Sequence, residues 1–306
     1  LAAAVPQGAG ASAAAPWQVQ LEVGVLGQWQ RAPLVRLTPQ GTLIRLPGLD
    51  RRRGALWHLG AQAQGELAAR APCSATLSAQ ISTEQAPGGR SGSHGRDFEL
   101  MLASAQPVLH CSLGSSSVGV GWQQQRIDVA GGKFRSARGV QLDWTLSEGD
   151  NHWTAIVEGA HWRHSADFRD LDATATTMLV QRHVAAVDAG SGTLDLAAFV
   201  GRERNRAGLA EFSQRSVTLQ ATWGQRVGAL DGTLGLLWQR ARYAGSAFDA
   251  VARRADRAIG LDASLSRPLT PELTLRLEAA WMRGRSNTPL YDQDQRQAML
   301  LLQWSR

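Results

Sequence analysis

Leu273-Thr-Leu-Arg-Leu-Glu-Ala-Ala-Trp281 sets Leu273, Leu275, Leu277, Ala279 and Trp281 at every second position, with Thr274, Arg276, Glu278 and Ala280 between them. A period of two belongs to a β-strand with one apolar and one polar face. After a polar connection, Arg285 to Asp294, the alternation returns as Ala298, Leu300, Leu302 and Trp304. Two environments produce such strands. A soluble antiparallel sheet turns its apolar side to a core. A sheet in a bilayer must instead close on itself, because hydrocarbon offers no partner to an open edge, and its side chains then alternate between lipid and lumen.

The same period runs back through the chain. Trp17, Val19, Leu21, Val23 and Val25 alternate with Gln18, Gln20, Glu22 and Gly24, and Ala55, Trp57, Leu59, Ala61 and Ala63 with His58, Gln62 and Gln64. A small hairpin is expected near Leu34–Leu46 in the polar stretch between them. Further strands are centred on Ala75–Ile81, on Phe98, Leu100 and Leu102, on Val118–Trp122, Val140–Leu146, Trp153–Gly159, Thr174–His183, Leu194–Val200, Val217–Trp223, Leu234–Trp238 and Ile259–Leu265. Together they make about 14.

Connections alternate in length. Short ones are read at Arg70–Pro72, Glu148–Asn151, Val187–Gly192, Val227–Asp231 and Arg267–Pro271. Long ones are read after the first strand, at Gln85–Gly95, near Gly131, at His164–Leu171, Arg202–Ala210, Tyr243–Ala252 and Arg285–Asp294. The series lacks only a turn between Leu102 and Ser117, which should be short. Long loops on one rim and short turns plus both termini on the other is outer-membrane topology, with the termini periplasmic. Tryptophan agrees with it. Every Trp except Trp162 lies in its strand's apolar phase, and Trp122, Trp144, Trp223, Trp238, Trp281 and Trp304 sit near the ends of their apolar runs, where an interfacial aromatic girdle belongs. The fold expected for residues 17–306 is therefore all-β, a transmembrane antiparallel barrel in the outer membrane of a Gram-negative bacterium. Residues 1–16, rich in alanine, read as a flexible linker or the remnant of a signal peptide.

The formal charge of +6 comes almost wholly from arginine, with Lys133 the only lysine. In a soluble protein that balance would suggest nucleic acid; around a barrel it suits a rim facing membrane lipid and lipopolysaccharide phosphates. The inward phase (Gln20, Glu22, His58, Gln62, Glu66, Gln141, Asp143, Glu158, Asp195, Gln220, Asp262, Arg276, Glu278) reads as a lumen of mixed sign. It favours no solute charge. Should Arg31–Gly54 fold inward, its arginines would make a pore anion-selective.

No metal site, cofactor site or catalytic set emerges. His161 and His164 stand three apart on one strand end and so point to opposite faces. His110 beside the Ser-rich Gly114–Ser117 lacks a nucleophile elbow, and a serine-rich turn is the ordinary reading. Cys73 and Cys111 have no ligand spacing. They are, however, equally far from the loop centre near Ser91–Gly92, so a hairpin about that centre sets them face to face, within disulfide reach in the oxidising periplasm. Gly24 and Gly27 leave the first strand little to pack where it would meet the last, which reads as a weak seam.

Arg254-Ala-Asp256 before a strand, Pro268 to Glu272 in the next short turn, and Arg285-Ser286-Asn287-Thr-Pro-Leu-Tyr291-Asp292 with Arg296 leading into the last strand resemble the barrel domain of the surface lipoprotein assembly modifier family. The resemblance covers about a fifth of the chain. It implies a non-enzymatic 14-stranded barrel that helps lipoproteins or secreted haem-binding proteins reach the cell surface; the route expected for such clients is this barrel, guided by the first-to-last seam and the Ser286–Tyr291 loop. Members usually carry a periplasmic helical repeat domain, which nothing before Trp17 can form; the partner expected there is a periplasmic domain or protein, either removed from this chain or supplied by another. Where members end on an aromatic residue, this chain has Arg306. The alternative is a passive outer-membrane pore, a porin or polysaccharide export channel.

Overall fold

Each alternating stretch forms a strand, and consecutive strands pair antiparallel around a full circle. The computed structural model describes residues 17–31, 36–37, 43–44, 52–85, 100–129, 131–185, 192–245, 253–288 and 291–306. The linker or signal remnant at 1–16, most of the Arg31–Gly54 loop, the Gln85–Gly95 loop and Phe98 lie outside them. The strands are β1 (Trp17–Arg31), β2 (Arg36–Leu37), β3 (Leu43–Ile44), β4 (Arg52–Arg70), β5 (Cys73–Gln85), β6 (Leu100–Leu113), β7 (Ser116–Val129), β8 (Gly132–Glu148), β9 (Asn151–His164), β10 (Ala173–Ala185), β11 (Thr193–Asn205), β12 (Gln214–Val227), β13 (Leu230–Tyr243), β14 (Ala255–Pro268), β15 (Leu273–Ser286) and β16 (Gln293–Ser305). β2 and β3 pair only with each other, the hairpin expected between the first two long strands. The other strands form one closed barrel in sequence order, and β1 closes it against β16.

Closure leaves no edge strand to satisfy. The β1–β16 ladder runs without a break from Gln20 opposite Ser305 to Arg31 opposite Asp294. Below it, Val19 and Arg306 exchange backbone hydrogen bonds of 2.8 and 2.9 Å. At Gly24 a Cβ would fall onto the Leu300 carbonyl oxygen and 2.7 Å from Leu301 Cδ2. The glycine therefore tightens the seam, since the neighbouring strand and the Leu301 side chain occupy the room it leaves. The expected weakness at Gly24 is corrected on that ground.

Register and burial fix which way each residue points. Val25, Leu300, Leu277 and Leu265 follow one another in cross-strand register on one face, Leu236 faces Leu261 on the same face, and each is exposed, Leu236 to 55%. Val120, Leu142, Val140, Leu219 and Leu196 continue this apolar face around the barrel. Such a continuous exposed belt would aggregate in water. Against lipid it is the favourable arrangement, since an outward lysine or arginine at the bilayer midplane would cost about 2–4 kcal/mol.

Two further sequence expectations need correction. The β7–β8 connection near Gly131 is not long, because β7 ends at Val129 and β8 begins at Gly132. Here the strands themselves extend, with a β-bulge after Ile127 taking up the extra residue. The turn between β6 and β7 is short as expected, at Gly114–Ser115. The second correction concerns Leu100 and Leu102. Their apolar phase faces inward, where they pack with Ile127 and Phe134, and the lipid-facing residues of β6 are the odd-numbered ones such as Leu109. Alternation by itself does not say which face an apolar residue takes when strand ends carry apolar residues on both.

Cys73 and Cys111 stand opposite each other in the β5–β6 register and are joined by a disulfide, with Cα atoms 4.0 Å apart. They share the outward phase, beside the short Ala71–Pro72 turn. Peptide mapping without reductant should recover the two cysteines in one linked species. Replacing both with serine should cost on the order of 2–4 kcal/mol in resistance to guanidinium. Recovery of both thiols alkylated in unreduced protein would refute the bond.

Candidate functional site: the lumen wall

The inward residues of the strands make the wall of any passage through the barrel. Strand by strand, the acidic ones are Glu22, Glu66, Glu84, Asp143, Glu158, Asp195, Glu203, Asp231, Asp256, Asp262 and Glu278; among the described side chains, the inward arginines within strands are Arg135, Arg226 and Arg276. This wall is acidic although the chain is basic. The inward phase expected from sequence already holds seven carboxylates against Arg276, so its mixed sign is corrected to acidic; Glu84 and Glu203 join it because β5 runs past Ile81 to Gln85 and β11 runs on to Asn205. Carrying the period of two a few residues past each apolar run would have found both.

Among the described residues, ion pairs with arginine are seen at three of these carboxylates. Glu22 has His58 Nε2 at 3.5 Å and accepts a 2.6 Å hydrogen bond from Gln20 Nε2. Asp195 meets His183 Nδ1 at 2.8 Å and accepts from Gln181 Nε2 at 3.2 Å. Asp143 lies 3.4 Å from His110 Nδ1. Glu158 accepts from the Thr177 hydroxyl at 3.2 Å, and Glu203 from Gln214 Nε2 at 2.7 Å. Arginine partners occur at Glu278, 2.8 Å from Arg276, at Asp231, 2.6 Å from Arg226, and at Asp256, beside Arg254. Amides and hydroxyls hold a carboxylate in place without cancelling its charge. Two of the acids use glycines on the neighbouring strand for room: a Cβ at Gly119 would overlap the Asp143 carboxylate, and one at Gly235 that of Asp262.

Apolar patches interrupt this wall. Leu26, Leu56, Met299 and Leu301 form a buried cluster on the inner face where β4, β1 and β16 meet. Leu100, Leu102, Ile127 and Phe134 form another on β6–β8, with Phe134 edge-on to Phe168 at 5.4 Å and to His164 at 5.3 Å. Trp162, the one inward tryptophan, lies under the Arg135 guanidinium at 4.5 Å.

The residues singled out by resemblance divide into two groups. Arg254 is buried between Tyr243 and Tyr291, its guanidinium 4.1 and 3.3 Å from their ring centres, and it pairs with Asp256. Asn287 accepts from the Ala255 amide at 2.8 Å and donates to the Arg253 carbonyl at 2.9 Å, while the Ser286 amide donates to Asp292 at 2.8 Å. Together these residues tie the start of β14 to the β15–β16 connection at the long-loop rim. Arg296 stands apart on the outer face, 65% exposed, with its guanidinium 5.1 Å from the Trp29 ring. His161 points outward and His164 inward, so the two do not converge. Among the described residues no group of three or more His, Cys, Asp or Glu could hold a metal ion.

The girdle tryptophans Trp122, Trp144, Trp223, Trp238, Trp281 and Trp304 all carry the outward phase. Beyond Trp122, Trp238 and Trp281 the next outward residues toward the long loops are Gln124, Arg240 and Arg283, whereas Trp144, Trp223 and Trp304 lie toward the short turns. Aromatic rings at both ends of an apolar belt mark the two interfaces of a bilayer. The chain is an outer-membrane β-barrel. Its short-turn rim, where β1 begins and β16 ends, is the periplasmic one.

Solved structures share this architecture. A loop-L8 deletion mutant of OmpT, an outer-membrane protein of Vibrio cholerae, aligns over 95% of this chain and 100% of its own, with a TM-score of 0.50 and 8% identity. OmpT of the same organism in its outer-membrane-expressed form aligns over 96% and 99%, with a TM-score of 0.50 and 7% identity. OccK9 of Pseudomonas aeruginosa aligns over 95% and 98%, with a TM-score of 0.46 and 13% identity. At such identities the likeness concerns the fold alone. No protein-family model matches the chain, and no curated protein matches it in sequence.

Proposed function

We propose that the chain is a passive outer-membrane pore that favours cations. The observation carrying this reading is the lumen wall, where carboxylates are placed inward on most strands and guanidiniums on few. A charged lumen with low-dielectric walls concentrates counter-ions and excludes ions of its own sign. The net charge of +6 gives the wrong sign for the passage, because most of the described arginines within strands stand on the outer face. The anion selectivity expected from Arg31–Gly54 rested on a loop most of which lies outside the described residues. In planar bilayers with a potassium chloride gradient, the purified barrel should conduct steadily, with potassium favoured over chloride about threefold or more. A reversal potential of the opposite sign, or a closed barrel, would sink the reading.

Translocation or surface display of lipoproteins or secreted haem-binding proteins is the second reading. It is supported by the convergence of Arg254, Asp256, Ser286, Asn287 and Tyr291 on one rim, with a periplasmic domain or protein supplying client recognition. Co-expression of such a client with and without the chain separates the two. Client display that depends on the chain, without steady conductance, would favour translocation.

A further inference from the structure

On the outer face near the extracellular rim, register places arginine directly against arginine. Arg240 of β13 is opposite Arg257 of β14, which is opposite Arg285 of β15. Beside them, Arg215 of β12 is opposite both Arg202 of β11 and Arg242 of β13. Like charges facing each other across strands repel and destabilise a sheet unless something neutralises them. Asp292 reaches Arg285. Among the described residues, Arg202, Arg215, Arg240, Arg242 and Arg257 have no carboxylate within ion-pair distance, and Arg240 Nε is buried without a hydrogen-bond partner.

The place of this ladder matters as much as its charge. Its arginines continue the outward phase of Trp238, Ile259 and Trp281, one or two positions beyond the apolar belt, and therefore lie at head-group depth in the outer leaflet. The periplasmic rim is unlike it: of the outward arginines there, Arg182 is 2.9 Å from Glu148 and stacks on Trp153 at 4.8 Å, Arg267 faces Leu275 and Arg70 faces Cys73, so none of the three stands against another arginine. The asymmetry across the barrel matches an anionic lipid confined to one leaflet.

We infer that the outer face of β11–β15 is a binding site for the phosphates of lipid A. Planar guanidiniums pair with phosphate oxygens two at a time, which turns adjacent arginines from mutually repelling neighbours into a shared clamp. Arg240, Arg257 and Arg285 sit on three adjacent strands and span about 10 Å, so they can hold a multivalent head group while its acyl chains lie along Ile259 and Leu261 below. The inference is independent of what passes through the lumen.

Native mass spectrometry of the detergent-solubilised barrel tests it, with bisphosphoryl lipid A, phosphatidylglycerol and inorganic phosphate as probes. Bisphosphoryl lipid A should remain bound, and the triple variant Arg240→Gln, Arg257→Gln, Arg285→Gln should lower its retention tenfold or more. Arg267→Gln at the other rim should leave it unchanged. Heat-modifiable migration reports whether the triple variant is folded; if it is not, Arg257→Gln alone should lower retention about threefold, since Arg257 lies against both neighbours. Equal retention of phosphatidylglycerol, displacement by millimolar inorganic phosphate, or full retention by the folded variants would overturn the site.

Discussion

Gly24→Val is expected to stop the barrel from closing. The position lies inside the β1–β16 ladder, opposite Leu301, where a Cβ would land on the Leu300 carbonyl oxygen and against the Leu301 side chain. A side chain can often rotate away from an intruding methyl. A backbone oxygen in a ladder cannot move without loosening the hydrogen bonds on both sides of it. Overpacking typically costs 1–3 kcal/mol, and obstruction by backbone puts this case at about 3 kcal/mol or more. Because β1–β16 is the last pairing in the circle, failure there leaves two edges exposed together. Refolded Gly24→Val should therefore show at least a tenfold smaller fraction of the fast-migrating, heat-modifiable form on detergent gels. Gly27→Val in the same strand is the control, since the nearest atom to its Cβ is 3.7 Å away. Equal folding of the two variants would show that the seam yields at Gly24, which is what translocation through that seam would need.

The contrast between these glycines bears on what the sequence can convey. Period-two alternation reports strands directly, because each residue's own hydrophobicity records the face it occupies. Loop lengths reported the rims, and the alternation of long and short connections calls for a short turn between Leu102 and Ser117, which the structure has at Gly114–Ser115. Register is different, because it relates residues far apart in the chain. Nothing in the local sequence around Arg240, Arg257 or Arg285 says that they stand side by side. Gly24 was misread for the same reason: its local sequence shows a missing side chain, while the strand beside it shows what occupies the space. Cys73 and Cys111 were legible because a single hairpin fixes their register from its centre. At Leu100 and Leu102 the alternation was legible but its direction was not, since a lumen can also hold apolar clusters.

Neutralising Glu22, Asp262 and Glu278 together should shift the pore's preference away from cations by about three- to tenfold in the potassium-to-chloride permeability ratio, since potentials of a few kT act exponentially on local ion concentrations. The three stand on β1, β14 and β15, on one stretch of the wall that also holds His58 and Arg276. Glu22→Gln, Asp262→Asn and Glu278→Gln preserve size and hydrogen-bonding capacity, so the change falls on charge. With those carboxylates gone, Arg276 becomes the uncompensated group of this stretch and attracts anions. Arg276→Gln in the otherwise unaltered barrel should move the ratio the other way, toward potassium. Opposite shifts from the two variants are the signature of a field in the lumen, which a change in pore width would not reproduce. Asp231→Asn serves as a control, because that carboxylate lies at the periplasmic rim, 2.6 Å from the exposed Arg226, where solvent screening weakens its reach into the passage. If both sets of lumenal variants conduct normally and keep the original reversal potential, ions do not pass along this wall, and the acidic face must have another use.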